Sequence, residues 1–130
     1  MKDKIPLAFK SYLHILPNNI RGGNMDRKTK AKYTTRAKII KAMAHPTRLF
    51  IVDQLSHKQQ CVCELTKMVG ADTSTVSRHL SILYEAGIVD SEKRGQQVWY
   101  SLKVPCVLNF FKCVESVIQV KAREQLELSK

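Results

Sequence analysis

From residue 61 to residue 87 the apolar positions follow a helical period, break once, and resume. Leu65, Met68 and Val69 stand at i, i+3, i+4 and predict a short helix over 64–69. Gly70-Ala71-Asp72 ends it, since glycine readily takes the left-handed conformation that closes a helix. Asp72 or Thr73 caps a second helix, on which Val76, Leu80, Leu83 and Tyr84 form one apolar stripe. Upstream, 33–43 reads as a helix with Ala37, Ile40 and Met43/Ala44 on one face. Ala44-His45-Pro46 interrupts it, and Pro46 suits the first position of a further helix over 47–56, with Leu49, Phe50, Val52 and Leu55 inside. His45 and Arg48 are expected to be structural at this corner.

After Gly87 the period changes from 3.6 to 2. Residues 88–92 read as a strand, Lys93-Arg94-Gly95-Gln96 as a turn, and 97–102 as a second strand with Val98, Tyr100 and Leu102 on one face. Trp99 is expected at the base of this hairpin. The last helix, over 104–126, carries two apolar stripes, one of Val107, Phe111, Val114 and Ile118, the other of Cys106, Phe110, Cys113, Val117 and Val120. A helix that apolar needs cover on two sides, and in a chain of 130 residues a second subunit supplies the other side most simply. The pattern therefore predicts a mainly α (α+β) fold: a winged helix-turn-helix with a two-stranded β wing and a C-terminal dimerisation helix. A basic flexible arm over 1–32 precedes this domain, which spans 33–126.

The polar side of the second hairpin helix carries Ser74, Thr75, Ser77, Arg78, His79 and Ser81. Short hydroxyl side chains reach phosphates and base edges, and an arginine forks onto guanine, so such a face suits the major groove of double-stranded DNA. Ser74, Thr75, Ser77, Arg78 and His79 are the candidate readers. Lys93, Arg94 and Gln96 on the wing are candidates for phosphates or the minor groove. An ordinary helical hairpin with a solvated face, or a winged helix that binds only protein, is the competing reading.

Charge changes this picture less than its total suggests. The chain holds 22 Lys+Arg against 11 Asp+Glu, a net +11 that points to a polyanionic partner. Residues 1–38 carry ten basic and two acidic residues, so most of the excess lies in the arm and its basic run, 27–32. No apolar run is long enough for a membrane span, and the first residues lack the features of a signal peptide. A cytoplasmic protein is expected, with translation starting at Met25, which follows Arg21-Gly22-Gly23. In a reducing compartment the four cysteines are read as ligands or redox-active thiols rather than structural disulfides. No Gly-rich phosphate loop, H-E-x-x-H or triad-like grouping is present, so an enzyme is not expected.

Ala44-His45-Pro46-Thr47-Arg48-Leu49, Cys61-Val62-Cys63-Glu64-Leu65, Ser74-Thr75-Val76-Ser77-Arg78-His79-Leu80 and Tyr84-Glu85-Ala86-Gly87-Ile88-Val89, followed by the wing at 93–100, resemble the ArsR/SmtB family over about residues 33–120. The resemblance implies a homodimeric winged-helix repressor that leaves operator DNA when a metal, metalloid or oxidant acts on it. Cys61-Val62-Cys63-Glu64-Leu65 looks like the thiol motif of the arsenic and soft-metal sensing branch. Two features depart from the family. The usual third cysteine is absent, Thr66, Lys67 and Met68 standing there instead. The last helix has no histidine of the zinc-sensing kind; Cys106 and Cys113 lie on it, seven residues or about 700° apart, and so face the same way.

Cys61 occupies the serine position of a capping box whose fourth residue is Glu64, and a thiol caps poorly. Cys63 falls in the first helical turn, where the helix dipole favours thiolate. Both reach one ion only if Cys61 lies outside the helix. Three readings remain open. Cys61 and Cys63, with Cys106, Cys113 or both, bind As(III) or a soft metal ion as inducer; the two thiol pairs form a disulfide or polysulfide switch; or Cys106 and Cys113 are small buried hydrophobes and Cys61 and Cys63 are incidental. DNA binding itself calls for no cofactor.

Overall fold

Helix caps decide where the elements begin. The computed structural model describes residues 25–129. The expected arm up to residue 24 lies outside them. The chain divides into two units, residues 1–33 and 34–130. Of the first unit, the described part is 25–33, where Asp26 accepts the backbone N–H of Thr29 at 2.6 Å. That cap starts helix α1 (Arg27–Met43) six residues before the predicted 33–43, and takes the basic run at 27–32 into the helix. The hydrogen bonds from Thr29 hold the Asp26 carboxyl below its ordinary range.

His45, in an extended conformation, caps α2 (Pro46–His57): its Nδ1 accepts the Thr47 N–H at 3.1 Å, and Pro46 takes the first helical turn. Strand β1 (Gln60–Cys61) was not anticipated; its two residues are too few to show a period. It leads into α3 (Val62–Val69), which begins two residues before the predicted 64 and ends at Gly70, whose φ of 69° is costly for any residue with a Cβ. Asp72 caps α4 (Thr73–Glu85), accepting the Thr75 N–H at 3.0 Å. Strands β2 (Val89–Arg94) and β3 (Gln97–Leu102) form the wing, and α5 (Val107–Leu128) follows.

The strands form an antiparallel sheet in the order β1-β3-β2. Cys61 pairs with Trp99, and Trp99 pairs on its other side with Glu92. Lys93 and Arg94, predicted in the turn, are in the ladder opposite Val98 and Gln97. The turn itself is Gly95-Gln96. Gly95 has φ 61° and is the positive-φ residue of the two, as a type II′ hairpin requires.

Eight side chains are sealed from solvent at the centre: Ile51, Val52, Leu65, Val76, Leu80, Leu83, Ile88 and Val89. They draw together α2, both hairpin helices and the base of the wing, and Tyr100, Leu102, Val107 and Phe111 pack against them. The predicted stripes are corrected at four places. Leu49, Phe50, Met68 and Tyr84 are exposed, while Ile51 takes the inward place expected of its neighbours. From α1 only Ala42 and Met43 are buried, leaving Ile40 half exposed. No residue of α5 is buried, and Phe110, Val114, Val117, Ile118 and Val120 stand in solvent. Between α5 and the α1–α2 corner lies an open cleft of about 840 Å³ lined by Ile40, Met43, Leu49, Phe50, Phe111 and Val114 among others.

Candidate nucleic-acid interface and thiol site

Burying Val76, Leu80 and Leu83 turns the opposite side of α4 outward. Ser74 and Arg78 are exposed there, and Thr75 and Ser77 are half-buried. The cap residue organises the start of the helix. Ser74 donates its hydroxyl to Asp72 Oδ2, and Thr75 Oγ1 donates to Asp72 Oδ1 at 2.6 Å. Those hydrogen bonds, Ser74's first, drive the Asp72 carboxyl far below its ordinary range. With their protons committed to Asp72, Ser74 and Thr75 present lone pairs, which suits amino groups on base edges better than phosphate oxygens. Among the described residues Arg78 has no such commitment, and it stands exposed on the same side.

His79 does not stand beside these residues. Its ring packs against His45, centroid to centroid 4.5 Å, and its Nδ1 lies 3.4 Å from Arg48 Nη1. Arg48 also donates to the carbonyls of Ala42 and Lys41, closing the end of α1. Burial first, then the charges of His45, Arg48 and Arg78, push the His79 imidazole below its ordinary value. Arginine only donates, so His79 Nδ1 meets it as a lone pair, in the neutral ring. His45 and Arg48 are structural at the corner, as expected, and His79 joins them there. Its place on the polar side of α4 carried no signal of this.

On the wing, Lys93 is exposed and Gln96 lies in the turn. Arg94 is folded back. Its Nε and Nη2 reach Glu92 Oε2 at 2.8 and 2.6 Å, its Nη2 reaches Gln59 Oε1 at 2.8 Å, and its guanidinium lies 5.2 Å from the centre of the Trp99 ring. Trp99 is therefore covered by Arg94. Gln59 was missed in the sequence because only the pairing of β1 with β3 brings it to the wing.

Cys61 is the N-cap of α3, buried and extended, with Sγ accepting the Glu64 N–H at 3.3 Å. Cys63 sits in the first turn, exposed. The two Cα atoms stand 5.3 Å apart, and with Cys61 extended at the cap the two sulfurs are joined as a disulfide, where ligands or redox-active thiols were expected. One half of the capping box is made, with the sulfur of Cys61, expected to cap poorly, as the acceptor. Glu64 Oε2 and Thr66 Oγ1 are buried beside it without a hydrogen-bond partner among the described residues. Cys106, the residue before α5, and Cys113 are free and exposed. Among the described residues no three Cys, His, Asp or Glu side chains come close enough to hold a metal ion. Within one chain, then, Cys61 and Cys63 are brought together and Cys106 and Cys113 are not brought to them. No described helix is long and apolar enough to cross a membrane.

The comparisons with known proteins agree with this geometry. The family described as bacterial regulatory protein, arsR family, matches residues 45–91, from the cap of α2 into β2. The cadmium resistance transcriptional regulatory protein CadC of Listeria innocua is 37% identical over 73 residues, which are 55% of this chain and 61% of CadC. The chain thus spans about six-tenths of that relative. The HTH-type transcriptional regulator MJ1325 of Methanocaldococcus jannaschii is 36% identical over 87 residues, 66% of this chain and 98% of MJ1325. The solution structure of Mb0332 from Mycobacterium bovis, a homodimeric winged helix-turn-helix DNA-binding domain, superposes with a TM-score of 0.63 at 28% identity, covering 75% of this chain and 90% of that one. With a near full-length relative at this identity and the same order of helices, hairpin and wing, the chain belongs to the ArsR/SmtB family of winged helix-turn-helix regulators.

Proposed function

We infer that the chain is a homodimeric transcriptional repressor that leaves its operator when an inducer acts on Cys61 and Cys63. The inducer is As(III) or a soft metal ion. The observation that carries this reading is the pairing of the two sulfurs at the start of α3, the helix that leads directly into α4. Soft thiolates select soft ions, and the cadmium resistance of the relative CadC accords with that preference. Two sulfurs are few for such an ion. Cys106 or Cys113, exposed near the start of α5, is the available third donor, supplied across a dimer. The apolar, unburied face of α5 supports the dimer, as does the homodimeric state of Mb0332. Ser74, Thr75, Ser77 and Arg78 read the major groove, with Lys93, Arg94 and Gln96 on the backbone.

A redox reading has its own support. Cys61 and Cys63 stand close enough to be joined by a disulfide, so an oxidant or polysulfide can act at the same place. One titration separates the readings. The reduced protein, bound to a duplex carrying its own promoter, is treated with Cd(II), As(III), Zn(II) or a polysulfide. Release under reductant that a chelator or competing thiol reverses is the metal outcome; release that only reductant reverses, with a mass shift, is the redox outcome. Cys61→Ser and Cys63→Ser should each bind the duplex normally and fail to let go. Full response of both variants to every agent would refute the thiol reading.

A further inference from the structure

The thiol pair and the wing share a strand. Cys61 is the second residue of β1, and its ladder partner is Trp99 in β3. Gln59 stands just before β1 and accepts from Arg94 at 2.8 Å across to the wing. The intervening residue, Gln60, is buried, and its Nε2 donates to the Gln54 carbonyl at 3.2 Å, which pins β1 to α2. A change at Cys61 therefore has a short route to Gln59, through a strand of two residues with one end fixed. Arg94, meanwhile, has two competing uses. Held by Glu92 and Gln59 and laid over Trp99, its Nε and one Nη are committed to neighbouring side chains. A guanidinium so engaged cannot also fork onto a phosphate.

The geometry points to Gln59 as a positioning residue that couples the Cys61–Cys63 pair to the wing by latching Arg94 away from DNA. This rests on the thiol reading above and deepens it. In the present structure the sulfurs are joined and Arg94 is latched. Joining them, through a shared soft ion or a disulfide, sets the strand so that Gln59 takes Arg94. Separating them frees Gln59, and Arg94 turns to the phosphate backbone. By linkage, DNA that captures Arg94 disfavours the joined state to the same degree.

Trp99 makes the latch observable. It is the single tryptophan of the chain, and Arg94 lies over its ring. The full-length reduced protein is mixed with the promoter duplex, and Cd(II) is added while DNA release and Trp99 fluorescence are followed together. A parallel sample receives diamide, which takes two electrons and two protons from the two thiols, leaving the S–S bond and the hydrazine. In the wild type both signals change. In Gln59→Ala, without the latch, affinity before treatment is unchanged, the fluorescence change is lost, and the agent's effect on affinity shrinks at least about fivefold, the low end of ordinary coupling between sites. Gln59→Glu, whose carboxylate holds Arg94 more strongly, binds the duplex more weakly before any agent is added. Gln59→Ala releasing DNA and shifting Trp99 as the wild type does would overturn the latch while leaving the thiol reading intact. A wild type that ignores Cd(II), As(III) and diamide would overturn both.

Discussion

Helices α4 and α5 are both amphipathic, and their apolar sides have opposite fates. On α4, Val76, Leu80 and Leu83 are fully sealed. On α5, twenty-two residues long, nothing is buried, and Ile118 is 54% exposed. The apolar stripes look alike in sequence, so the difference lies in what surrounds them. α4 is ringed by α2, α3 and the wing, which complete one core within the chain. α5 touches that core through Val107 and Phe111 and then runs past it. An apolar stripe thus shows which side of a helix wants cover, and only the tertiary arrangement shows whether the chain itself provides it.

The largest effect should come from the sealed side. Leu80→Ala removes a side chain with no exposure and leaves a cavity among Val76, Leu83 and Ile88, costing about 2–5 kcal/mol of unfolding free energy. Denaturant unfolding checks it, and a loss under about 1 kcal/mol would mean that α4 is not held as described. The contrasting change is Ile118→Glu on α5. In a lone chain that carboxylate stays in water and stability moves by less than about 0.5 kcal/mol. In a dimer sealed by this face it is an unpaired buried charge, so the protein should remain folded but sediment as a monomer, with weaker operator binding. A normal dimer with Ile118→Glu would place the interface elsewhere.

The two helices also show how much could be read from residues alone. The helix-turn-helix, the wing and the burial of Leu65, Val76, Leu80 and Leu83 were legible, because each element there is long enough to show its period and is closed by a strong signal such as Gly70 or Asp72. β1 was not legible. Two residues have no period, and the strand exists because β3 offers it an edge. From that one omission followed the silence on Gln59 and on the contacts that hold Arg94. The Cys61–Cys63 bond was not legible for a different reason: compartment argued against structural disulfides, and the disulfide reading joined the two thiol pairs, whereas the cap geometry at Cys61 brings these two sulfurs together. The packing of His79 was not legible either, because spacing put it on the polar side of α4, and only the corner brings its ring against His45 and Arg48.

Within the outward side of α4, Arg78→Ala tests the base-reading assignment. If the guanidinium forks onto a base, the loss is about 1–3 kcal/mol of operator affinity, with relaxed preference at one position per half-site. Binding to unrelated duplex should change far less. Stability should be unaffected, since Arg78 is exposed, and this separates it from Leu80 on the same helix. Equal losses on operator and unrelated DNA would make Arg78 a phosphate contact instead.

The smallest effect concerns pH and again sets α4 against α5, which carries no histidine. The His79 imidazole is pushed below its ordinary 6.5, chiefly by burial and then by His45, Arg48 and Arg78. The unfolded chain therefore takes up this proton first as pH falls. Above 6.5 the ring is neutral in both states and the stabilisation is intact. As pH drops below 6.5 toward the lowered folded value, the unfolded state binds the proton and the folded state resists it, so stability declines. His79→Gln removes this contribution without adding charge. The melting temperature of the wild type should fall more steeply than that of His79→Gln between pH 7.5 and 5.5, and the two curves should run parallel above pH 7. Ile118→Glu, on the helix without histidine, should track the wild type over the same range near neutrality. Parallel curves for His79→Gln and wild type throughout would show that the ring titrates freely, and that the packing against His45 and Arg48 does not hold it neutral.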